Sequence, residues 1–431
     1  MIKKIRVDEL EVGMFIEDLN VPWMDHPFLS NRRRIKCTKD IDILVEHRIQ
    51  EVLINTELGR DTGKGQPIEQ AESEAKDRLN RDVLSPPPAP PEEPAHDALE
   101  HAPLTDSTPF EEEVRKARTV YGQAKNLVKD LLTDARMGKS VDGERAARVV
   151  DDMVDSIFRN HDALASLSRL KNFDDYTFNH SVNVSVLALT LGRHLGIVKG
   201  ELKRLGVGAI LHDVGKMRVP EAVLNKPGRL TEEEFEVMKT HSLHGAKILL
   251  ETKDVPDECA AVALNHHERF DGRGYPRGLQ GLSIGKFGLI SAVADVYDAV
   301  TSDRVYHKGM PTHQALQKMY EWAKTDFYPI YVQKFIQCIG IYPIGSVVRL
   351  DTGEVGVVCR QNHDQLLRPC VRVVFDADGA RLAASVEVDL RELDEHGEKP
   401  FARTVVSTLE AAAAGVDPEA VLVRETPAQA A

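Results

Sequence analysis

Residues 205–216 read Leu-Gly-Val-Gly-Ala-Ile-Leu-His-Asp-Val-Gly-Lys, so an apolar run leads directly into the doublet His212-Asp213. An Asp carboxylate buried behind such a run needs a partner, because an uncompensated charge in an apolar environment is expensive. The partner is either a metal ion or a salt bridge, and the adjacent imidazole favours the metal ion. We therefore predict a pair of metal ligands at the end of a buried helix.

The sequence on both sides of this doublet has the spacing of α-helices. From residue 143 to about residue 335, apolar residues recur every three or four positions, as in Val149, Met153 and Ile157, and no run alternates like a strand. We expect one helical domain over residues 143–345 and a mainly α protein.

Smaller segments precede the helical domain. Residues 1–84 contain short apolar runs broken by glycine and proline, which predicts a small α+β module. Residues 85–109 hold eight of the 22 prolines and neither Lys nor Arg, as in a semi-rigid linker. In residues 110–142, an apolar stripe predicts an amphipathic helix that packs on its own domain or, alternatively, forms a homodimer or signalling helix. The stripe consists of Val114, Ala117, Val120, Ala124, Leu127, Leu131 and Ala135.

The pattern changes to β-structure after Tyr342-Pro343. Short apolar runs follow, separated by turns that contain Asp and Gly, so residues 346–408 predict a small β appendage. Residues 409–431 are rich in Ala and low in complexity, and we expect this tail to be unstructured.

The composition limits the partners and the location. With 55 Lys and Arg against 68 Asp and Glu, the formal net charge is −13, which argues against nucleic-acid polymers and anionic membranes as partners. The longest apolar runs fall short of the ~18 residues that a membrane-spanning helix needs, and the start lacks the pattern of a secretory signal. The five cysteines are dispersed, as expected in a reducing cytoplasm.

Eight of the 16 histidines lie between residues 180 and 307, and several stand beside Asp or a second His. The candidate metal ligands are His180, His212, Asp213, His241, His266, His267 and Asp295. On different helices of one bundle, such residues can converge on one cavity. Seven nitrogen and oxygen ligands without a thiolate suit two ions of iron, manganese or zinc, with one bridging carboxylate. Read alone, a histidine such as His180 would more often be a hydrogen-bonded core or surface residue, and two neutral imidazoles on a surface are an ordinary alternative for His266 and His267.

The remaining histidines carry no comparable signal. His244 lies one helical turn after His241, and we place it outside the ligand set. We assign five others to the surface, namely His47, His161, His313, His363 and His396.

Several residues near the histidines are candidates for substrate contacts. Two glycines and a proline within six residues predict a loop at Asp271-Gly272-Arg273-Gly274-Tyr275-Pro276. Its glycines allow a ligand to approach the backbone closely, although a plain helix connector explains the same residues. Lys216 follows the doublet His212-Asp213 closely enough to face phosphate oxygens. Asp298 lies one helical turn after Asp295, and Arg304 lies further along the chain.

Taken together, these residues resemble the HD-GYP family of the HD phosphohydrolase superfamily. The matching motifs are Tyr176-Thr-Phe-Asn-His180, His212-Asp-Val-Gly-Lys216, Asn225-Lys-Pro-Gly-Arg-Leu-Thr231, His241-Ser-Leu-His-Gly245, His266-His-Glu-Arg-Phe-Asp-Gly-Arg-Gly-Tyr-Pro276 and Ala294-Asp-Val-Tyr-Asp298 running into Thr301-Ser-Asp-Arg304. The resemblance spans about residues 143–345, and residues 2–57 resemble the small domain that often precedes this one in bacterial proteins. It implies a helical HD-type metal-dependent phosphohydrolase domain that cleaves cyclic di-GMP.

By position, the resemblance implies one ion on His180, His212, Asp213 and Asp295 and a second on His241, His266 and His267, with Asp213 as the bridge. The ions would be iron or manganese rather than zinc. A hydroxide that bridges them would attack the phosphodiester in line, while Lys216 stabilises the phosphoryl charge and the loop shapes the pocket around one guanine. The product would be linear pGpG, followed by GMP where the site has room for the terminal phosphate.

Two positions depart from the family pattern. Tyr176 stands where some relatives have a Glu that holds a third ion, so we expect two ions per chain. Arg304 is followed by Val305 instead of the common proline, and the basic residue expected next is represented by His307 or Lys308.

Three other functions fit parts of the sequence. One is an interaction protein built on the linker and the helix at residues 114–135, and partner binding of this kind can coexist with hydrolysis. A catalytically weak receptor for cyclic dinucleotides would signal through protein partners, but no expected ligand is missing here. Another nucleotide phosphohydrolase of the HD superfamily would share His212 and Asp213 but would not need the loop at residues 271–276.

Overall fold

The computed structural model describes residues 1–19, 32–46, 49–68, 70, 106–168, 176–302, 309–323, 325–394 and 400–424. The chain divides into two compact units. One comprises Met1–Ser85 and Pro227–Glu233, and the other comprises Pro86–Lys226 and Glu234–Ala431. Most of the proline-rich stretch at 85–109 lies outside the described residues.

The first unit contains a five-stranded antiparallel sheet and a helix. Its elements are β1 (Ile2–Arg6), β2 (Phe15–Asp18), β3 (Arg33–Arg34), α1 (Thr38–Glu46), β4 (Glu51–Asn55) and β5 (Gln66–Pro67), and the strand order is β3-β2-β4-β1-β5. In β4, Val52 and Ile54 are buried and their neighbours are more exposed, the alternation of a half-buried strand. Ile5, Ile16 and Leu44 share this core. The predicted α+β module is therefore confirmed.

The second unit contains a helical bundle. Its helices are α2 (Phe110–Arg136), α3 (Gly143–Arg159), α4 (His161–Leu167), α5 (Tyr176–His194), α6 (Lys199–Ile210), α7 (Glu221–Leu224), α8 (Glu232–Glu251), α9 (Glu258–Asn265), α10 (Lys286–Thr301), α11 (Thr312–Trp322) and α12 (Pro329–Ile339). Val182, Val186 and Leu189 of α5 are buried because α3, α6, α10 and α12 pack around this helix. The mainly α fold is confirmed. Among the described helices, none is long and apolar enough to cross a membrane.

The apolar stripe of α2 packs against other helices of the same chain. All seven of its residues are buried, and α2 packs on α3, α4 and α5. Near its start, the buried Glu113 accepts hydrogen bonds from Ser156 Oγ and from Arg159 Nε, both at 2.7 Å. These partners satisfy a buried carboxylate and hold α2 against α3. The structure thus favours packing of α2 on its own domain over a dimer formed through the stripe.

A second five-stranded antiparallel sheet follows the bundle. Its strands are β6 (Val347–Leu350), β7 (Val355–Arg360), β8 (Cys370–Phe375), β9 (Arg381–Asp389) and β10 (Val405–Leu409). The strand order is β10-β6-β7-β8-β9, which confirms the predicted β appendage.

The expectation of an unstructured tail from residue 409 is wrong for its first part. Val416, Val421 and Leu422 are buried, and a helical turn spans Ala420–Arg424. This turn packs on α2 and β7, and the buried Arg372 donates a hydrogen bond to the Val421 carbonyl at 2.9 Å. Apolar residues among the alanines therefore anchor the segment, although its composition resembles that of a disordered tail.

Candidate metal centre

Seven largely buried side chains converge within the helical bundle. His180 lies in α5, His212 and Asp213 directly after α6, His241 in α8, His266 and His267 directly after α9, and Asp295 in α10. All seven are the ligands expected from the sequence, and the bundle brings all of them together.

A close backbone contact places the doublet against α8. After α6 ends at Ile210, the chain makes a tight turn over Val214–Arg218. A Cβ atom on Gly215 would lie 1.9 Å from the carbonyl oxygen of His241, so only glycine fits at this position. The missing side chain at Gly215 therefore allows α8 to bring His241 next to Asp213.

The first group of ligands surrounds one oxygen of Asp213. His212 Nε2 lies 3.4 Å and His180 Nε2 lies 3.8 Å from Asp213 Oδ2. Asp295 Oδ1 lies 3.1 Å from His180 Nε2 and 3.8 Å from His212 Nε2. Two imidazoles and two carboxylates thus present their ligand atoms to one small volume.

The second group faces the other oxygen of the same carboxylate. His241 Nε2 and His266 Nε2 lie 3.5 and 3.8 Å from Asp213 Oδ1 and 3.3 Å from each other. His267 belongs to the same cluster of ligand atoms, and its Nδ1 lies 3.8 Å from Asp295 Oδ2. Asp213 therefore occupies a bridging position between the two groups.

The hydrogen bonds of the histidines suit a pair of cations. The Nδ1 atoms of His212 and His241 donate to the carbonyls of Ala209 and Met238, both at 2.7 Å, so their Nε2 lone pairs point into the centre. Among the described residues, neither His212 Nε2 nor Asp213 Oδ1 has a hydrogen-bond partner, although both atoms are buried. Acceptor atoms that face one another without a proton between them fit divalent metal ions.

Burial sets the protonation of the second group. It lowers the pKa of His241 to about 4 and that of His266 to about 3, and it holds the pKa of His267 well below its ordinary value. These imidazoles are therefore neutral at neutral pH, which is the form that binds a metal ion.

In the first group, charged neighbours outweigh the effect of burial on the pKa values of Asp213 and His180. Burial would raise the pKa of Asp213, but Lys216 and His212 hold it well below the usual range. Burial also disfavours a charged His180, yet hydrogen bonds to Asp295 and Asp298 outweigh it and raise the His180 pKa to about 9. In the metal-free state, His180 thus carries a proton that a bound cation would replace.

Asp298, which the sequence placed among the candidate substrate contacts, is engaged with His180 and Asn183. It is buried, accepts a hydrogen bond from His180 Nδ1 at 2.7 Å on one oxygen and accepts another from Asn183 Nδ2 at 2.9 Å on the other. Tyr121 Oη in turn donates to Asn183 Oδ1 at 2.7 Å. These residues orient His180 from behind. Sequence reasoning missed Asn183, although its position one turn after His180 was a usable signal.

The loop 271–276 folds back on the histidine doublet. The Tyr275 ring lies 4.7 Å from the His267 ring, and its backbone N–H donates to the His267 carbonyl at 3.2 Å. A Cβ atom on Gly274 would lie 2.2 Å from the backbone nitrogen of Arg269. Gly274 therefore allows the loop to pack closely on its own chain, and the approach of a ligand to this glycine stays a prediction.

Other parts of the loop are already engaged in local contacts. The guanidinium of Arg273 pairs with the carboxylate of Asp271, which also accepts the Arg273 N–H at 3.0 Å. Gly272 has a positive φ of 82°, and Pro276 follows Tyr275. Of the six residues, Tyr275 is the one whose ring contacts the metal ligands.

Of the three basic residues expected to contact the substrate, Lys216 is described by the structure, and Arg304 and Lys308 are not. Lys216 Nζ donates a hydrogen bond to Asp213 Oδ2 and is partly exposed. Arg304 and Lys308 lie outside the described residues, as does the side chain of Tyr176. His244 is half-buried and does not belong to the clustered ligands.

Comparisons with known proteins agree with this geometry. Residues 154–329 match the family described as HD domain, residues 2–146 match a domain of unknown function (DUF3391), and residues 347–395 match a KOW domain associated with the HD domain. The chain is 39% identical over 378 residues to the cyclic di-GMP phosphodiesterase PA4108 of Pseudomonas aeruginosa, covering 88% of this chain and 86% of the relative.

Two further relatives match shorter parts of the chain. A cyclic di-GMP phosphodiesterase of Thermotoga maritima is 36% identical over 184 residues, covering 42% of this chain and 50% of the relative. The 3'3'-cGAMP-specific phosphodiesterase 1 of Vibrio cholerae is 38% identical over 144 residues, which are 33% of each chain.

The helical bundle and its clustered histidines and aspartates define a metal-dependent phosphohydrolase of the HD type. Within that class, the chain belongs to the HD-GYP family, since its similarity to a phosphodiesterase of this family extends over 88% of its length. The small domains before and after the bundle match families as well.

Proposed function

We propose that this protein is a metal-dependent phosphodiesterase that hydrolyses cyclic di-GMP to linear pGpG, with GMP as a further product only where the site has room for the terminal phosphate. The observation that carries the proposal is the position of Asp213, whose two oxygens face two separate groups of histidines. The name of the relative PA4108, which matches 88% of this chain, states cyclic di-GMP phosphodiesterase activity.

The proposed mechanism divides the work among the side chains. When bound, divalent ions lower the pKa of water and compensate the charge of phosphate oxygens. His241, His266 and His267 offer neutral lone pairs because burial lowers their pKa. Asp213 links the two groups of ligands. Lys216, next to Asp213, neutralises the charge that develops on the phosphoryl oxygens in the transition state.

Two ions per chain, iron or manganese in preference to zinc, complete the proposal. Four ligand side chains in the first group and three in the second provide enough nitrogen and oxygen atoms for two sites when Asp213 is shared. The absence of thiolate from the ligand set supports iron or manganese, while imidazole leaves zinc as the weaker alternative.

Substrate contacts are proposed for residues around this centre. Tyr275, beside His267, offers a ring on which a guanine base could stack. Lys216 is partly exposed at the same centre and would approach a phosphate. We also retain Arg304 and Lys308 as contacts for the outer phosphate, and the loop 271–276 as a wall of the pocket.

A second substrate class has a specific observation in its favour. The similarity to 3'3'-cGAMP-specific phosphodiesterase 1 covers 33% of this chain, so hydrolysis of this mixed cyclic dinucleotide is the alternative to be measured. A receptor without turnover is disfavoured because all seven ligands are present and converge.

The location and the partners form the outer part of the proposal. The five dispersed cysteines and the net charge of −13 support a cytoplasmic protein that binds neither nucleic-acid polymers nor membranes. Signalling partners remain part of the proposal. A homodimer through residues 114–135 does not, because the apolar stripe of that helix is buried within the chain.

The experiment combines metal analysis of anaerobically purified protein with product analysis on cyclic di-GMP and 3'3'-cGAMP. We expect two ions per chain and conversion of cyclic di-GMP to pGpG. Replacing His212 and Asp213 together by Ala should abolish both metal loading and hydrolysis, because the shared carboxylate organises both groups. His244→Ala is the matched control and should keep most of the activity.

Two outcomes would contradict the proposal. The two expected ions are those of the seven clustered residues. Full activity in the double variant would rule out the metal mechanism, and a third ion that is lost together with these two in the double variant would refute the proposed count. A wild-type protein that holds its metal and binds cyclic di-GMP without turnover would instead be a receptor.

A further inference from the structure

A second cluster of ligand atoms lies outside the metal centre. His161 and Asp162 begin α4, and His363 lies between β7 and β8. In the sequence, both histidines were assigned to the surface because neither carries a signal comparable to that of the candidate ligands, and 202 positions separate them. We propose that these three residues form a further binding site for a divalent metal ion such as Zn²⁺. An ion bound there would link the helical bundle to the C-terminal sheet.

The geometry of the three ligand atoms carries the proposal. His161 Nε2 lies 2.7 Å from His363 Nε2 and 3.3 Å from Asp162 Oδ2. All three ligand atoms lie within 4.8 Å of one another. Two imidazole nitrogens and one carboxylate oxygen are a common ligand set for zinc, and they leave one position of a tetrahedral ion open to water.

The tautomer of His161 leaves a lone pair at the centre of this cluster. Asp106 lies on the far side of the ring, where its two oxygens accept from His161 Nδ1 at 2.8 and 2.9 Å. With that proton on Nδ1, the neutral ring presents only a lone pair at Nε2. Asp162 Oδ2 then faces another acceptor at 3.3 Å. A proton on His161 Nε2 can form a good hydrogen bond to either His363 Nε2 or Asp162 Oδ2, whereas a metal ion binds all three atoms.

Asp106 has the position of a residue that orients a metal-binding histidine. Ligand histidines commonly donate their second ring N–H to a carboxylate, which fixes the tautomer and increases ligand basicity. Asp106 also accepts the backbone N–H of His161 at 3.1 Å, so the carboxylate is held in place from two directions.

The local charge also favours a cation. Asp106 and Asp162 bring two negative charges, and Arg193 Nη1, 3.6 Å from Asp106 Oδ1, brings one positive charge. With neutral imidazoles, the described cluster has a net charge of −1. A divalent ion would more than offset this charge at a site that is only partly exposed. Burial disfavours a charged His161, but Asp162 and Asp106 raise its pKa, so a metal ion would compete with a proton at this ring.

The distances show how little the site must move. Ligand atoms on a tetrahedral zinc ion lie ~3.3 Å apart, which the pair His161 and Asp162 already matches. The pair His161 and His363 must separate by about 0.6 Å. His363 is exposed between two strands, so its ring can make this adjustment without disturbing the core.

The test is the total metal content of the full-length chain. The protein would be incubated with a small excess of Zn²⁺ and passed through a desalting column, and the bound metal counted by mass spectrometry. We expect the wild type to hold one ion more than His363→Ala. Asp364→Ala is the matched control, since this exposed neighbour pairs with Arg391 at 3.4 Å and should retain the ion. Hydrolysis of cyclic di-GMP should be unchanged in both variants.

A second measurement separates a metal site from a structural hydrogen bond. Zn²⁺ should raise the melting temperature of the wild type and of Asp364→Ala more than that of His363→Ala. Asp162→Asn, which keeps the side-chain size, should lose the same single ion even if His363→Ala folds poorly. Equal metal content and equal melting shifts in all four proteins would overturn the proposal and assign the cluster to a protonated His161 held by its neighbours. Because the site shares no residue with the catalytic centre, this result would leave the proposed function intact.

Discussion

Replacing Asp298 by Asn tests whether the residues behind His180 control metal binding. The carboxylate accepts two hydrogen bonds, one on each oxygen, from His180 Nδ1 at 2.7 Å and from Asn183 Nδ2 at 2.9 Å. An amide of the same shape has only one oxygen, so its NH2 group must face one of these two donors. If Asn183 turned its own amide to help, the hydroxyl of Tyr121 would lose its acceptor, because Tyr121 Oη donates to Asn183 Oδ1 at 2.7 Å.

The size of the effect follows from these contacts. One buried donor loses its acceptor, which costs about 1–3 kcal/mol. Carboxylates that orient metal-binding histidines typically contribute 10- to 100-fold to metal affinity or activity, which is about 1.4–2.7 kcal/mol. We therefore expect Asp298→Asn to weaken metal binding by ~10- to 100-fold, with most of the turnover restored at saturating metal.

The assay is competition with a chelator of known affinity, followed by turnover of cyclic di-GMP at limiting and saturating metal. Tyr121→Phe alone should change the affinity by less than about threefold, since it removes only the outermost donor of the network. Combined with Asp298→Asn, it should recover part of the loss, because Asn183 is then free to rotate its amide. Wild-type affinity in Asp298→Asn, or no recovery in the double variant, would refute the reasoning.

Three further predictions follow from the same structure. Lys216→Ala should lower turnover ~100-fold, which is about 3 kcal/mol of transition-state stabilisation, while the metal centre still holds near two ions. Turnover and metal content would be measured on the same preparation. If the loss of turnover merely follows a loss of metal, Arg304 becomes the candidate for the phosphate-stabilising cation. Metal affinity should fall as the pH is lowered below about 9, by up to about tenfold per pH unit, because the raised pKa of His180 keeps a competing proton on the ring. A metal affinity that does not change between pH 6.5 and 8.5 in chelator competition would contradict this prediction. Gly215→Ala should lower the free energy of unfolding by ~3 kcal/mol, whereas Gly122→Ala, whose added Cβ meets no described atom within 4 Å, should be neutral or slightly stabilising in the same denaturant titration.

The fold and the residues of the candidate metal centre were accessible from the sequence because their signals are local. A charged doublet behind an apolar run is visible without coordinates, and so is the seven-residue stripe of α2. Once the elements are helices of one bundle, few arrangements bring His212, His241 and His266 to the same side of a core.

The direction of individual side chains was not accessible in this way. Spacing placed Asp298 one turn beyond Asp295, but a turn of helix does not reveal that its carboxylate lies behind His180. Gly274 suggested room for a ligand, and only the backbone of Arg269 at 2.2 Å from its Cβ position explains it. His161 and His363 were assigned to the surface because neither carries a signal comparable to that of the candidate ligands, and nothing in the sequence links positions so far apart.

The sharing of Asp213 has a consequence for how the enzyme would respond to its metal supply. When one carboxylate serves two ions, the occupancy of each site changes the affinity of the other by the same factor in both directions. If turnover requires both ions, activity varies with the fraction of chains that hold both ions at once. The rate would then rise more steeply with free metal than a single-site curve, so that metal starvation would preserve the cyclic dinucleotide signal.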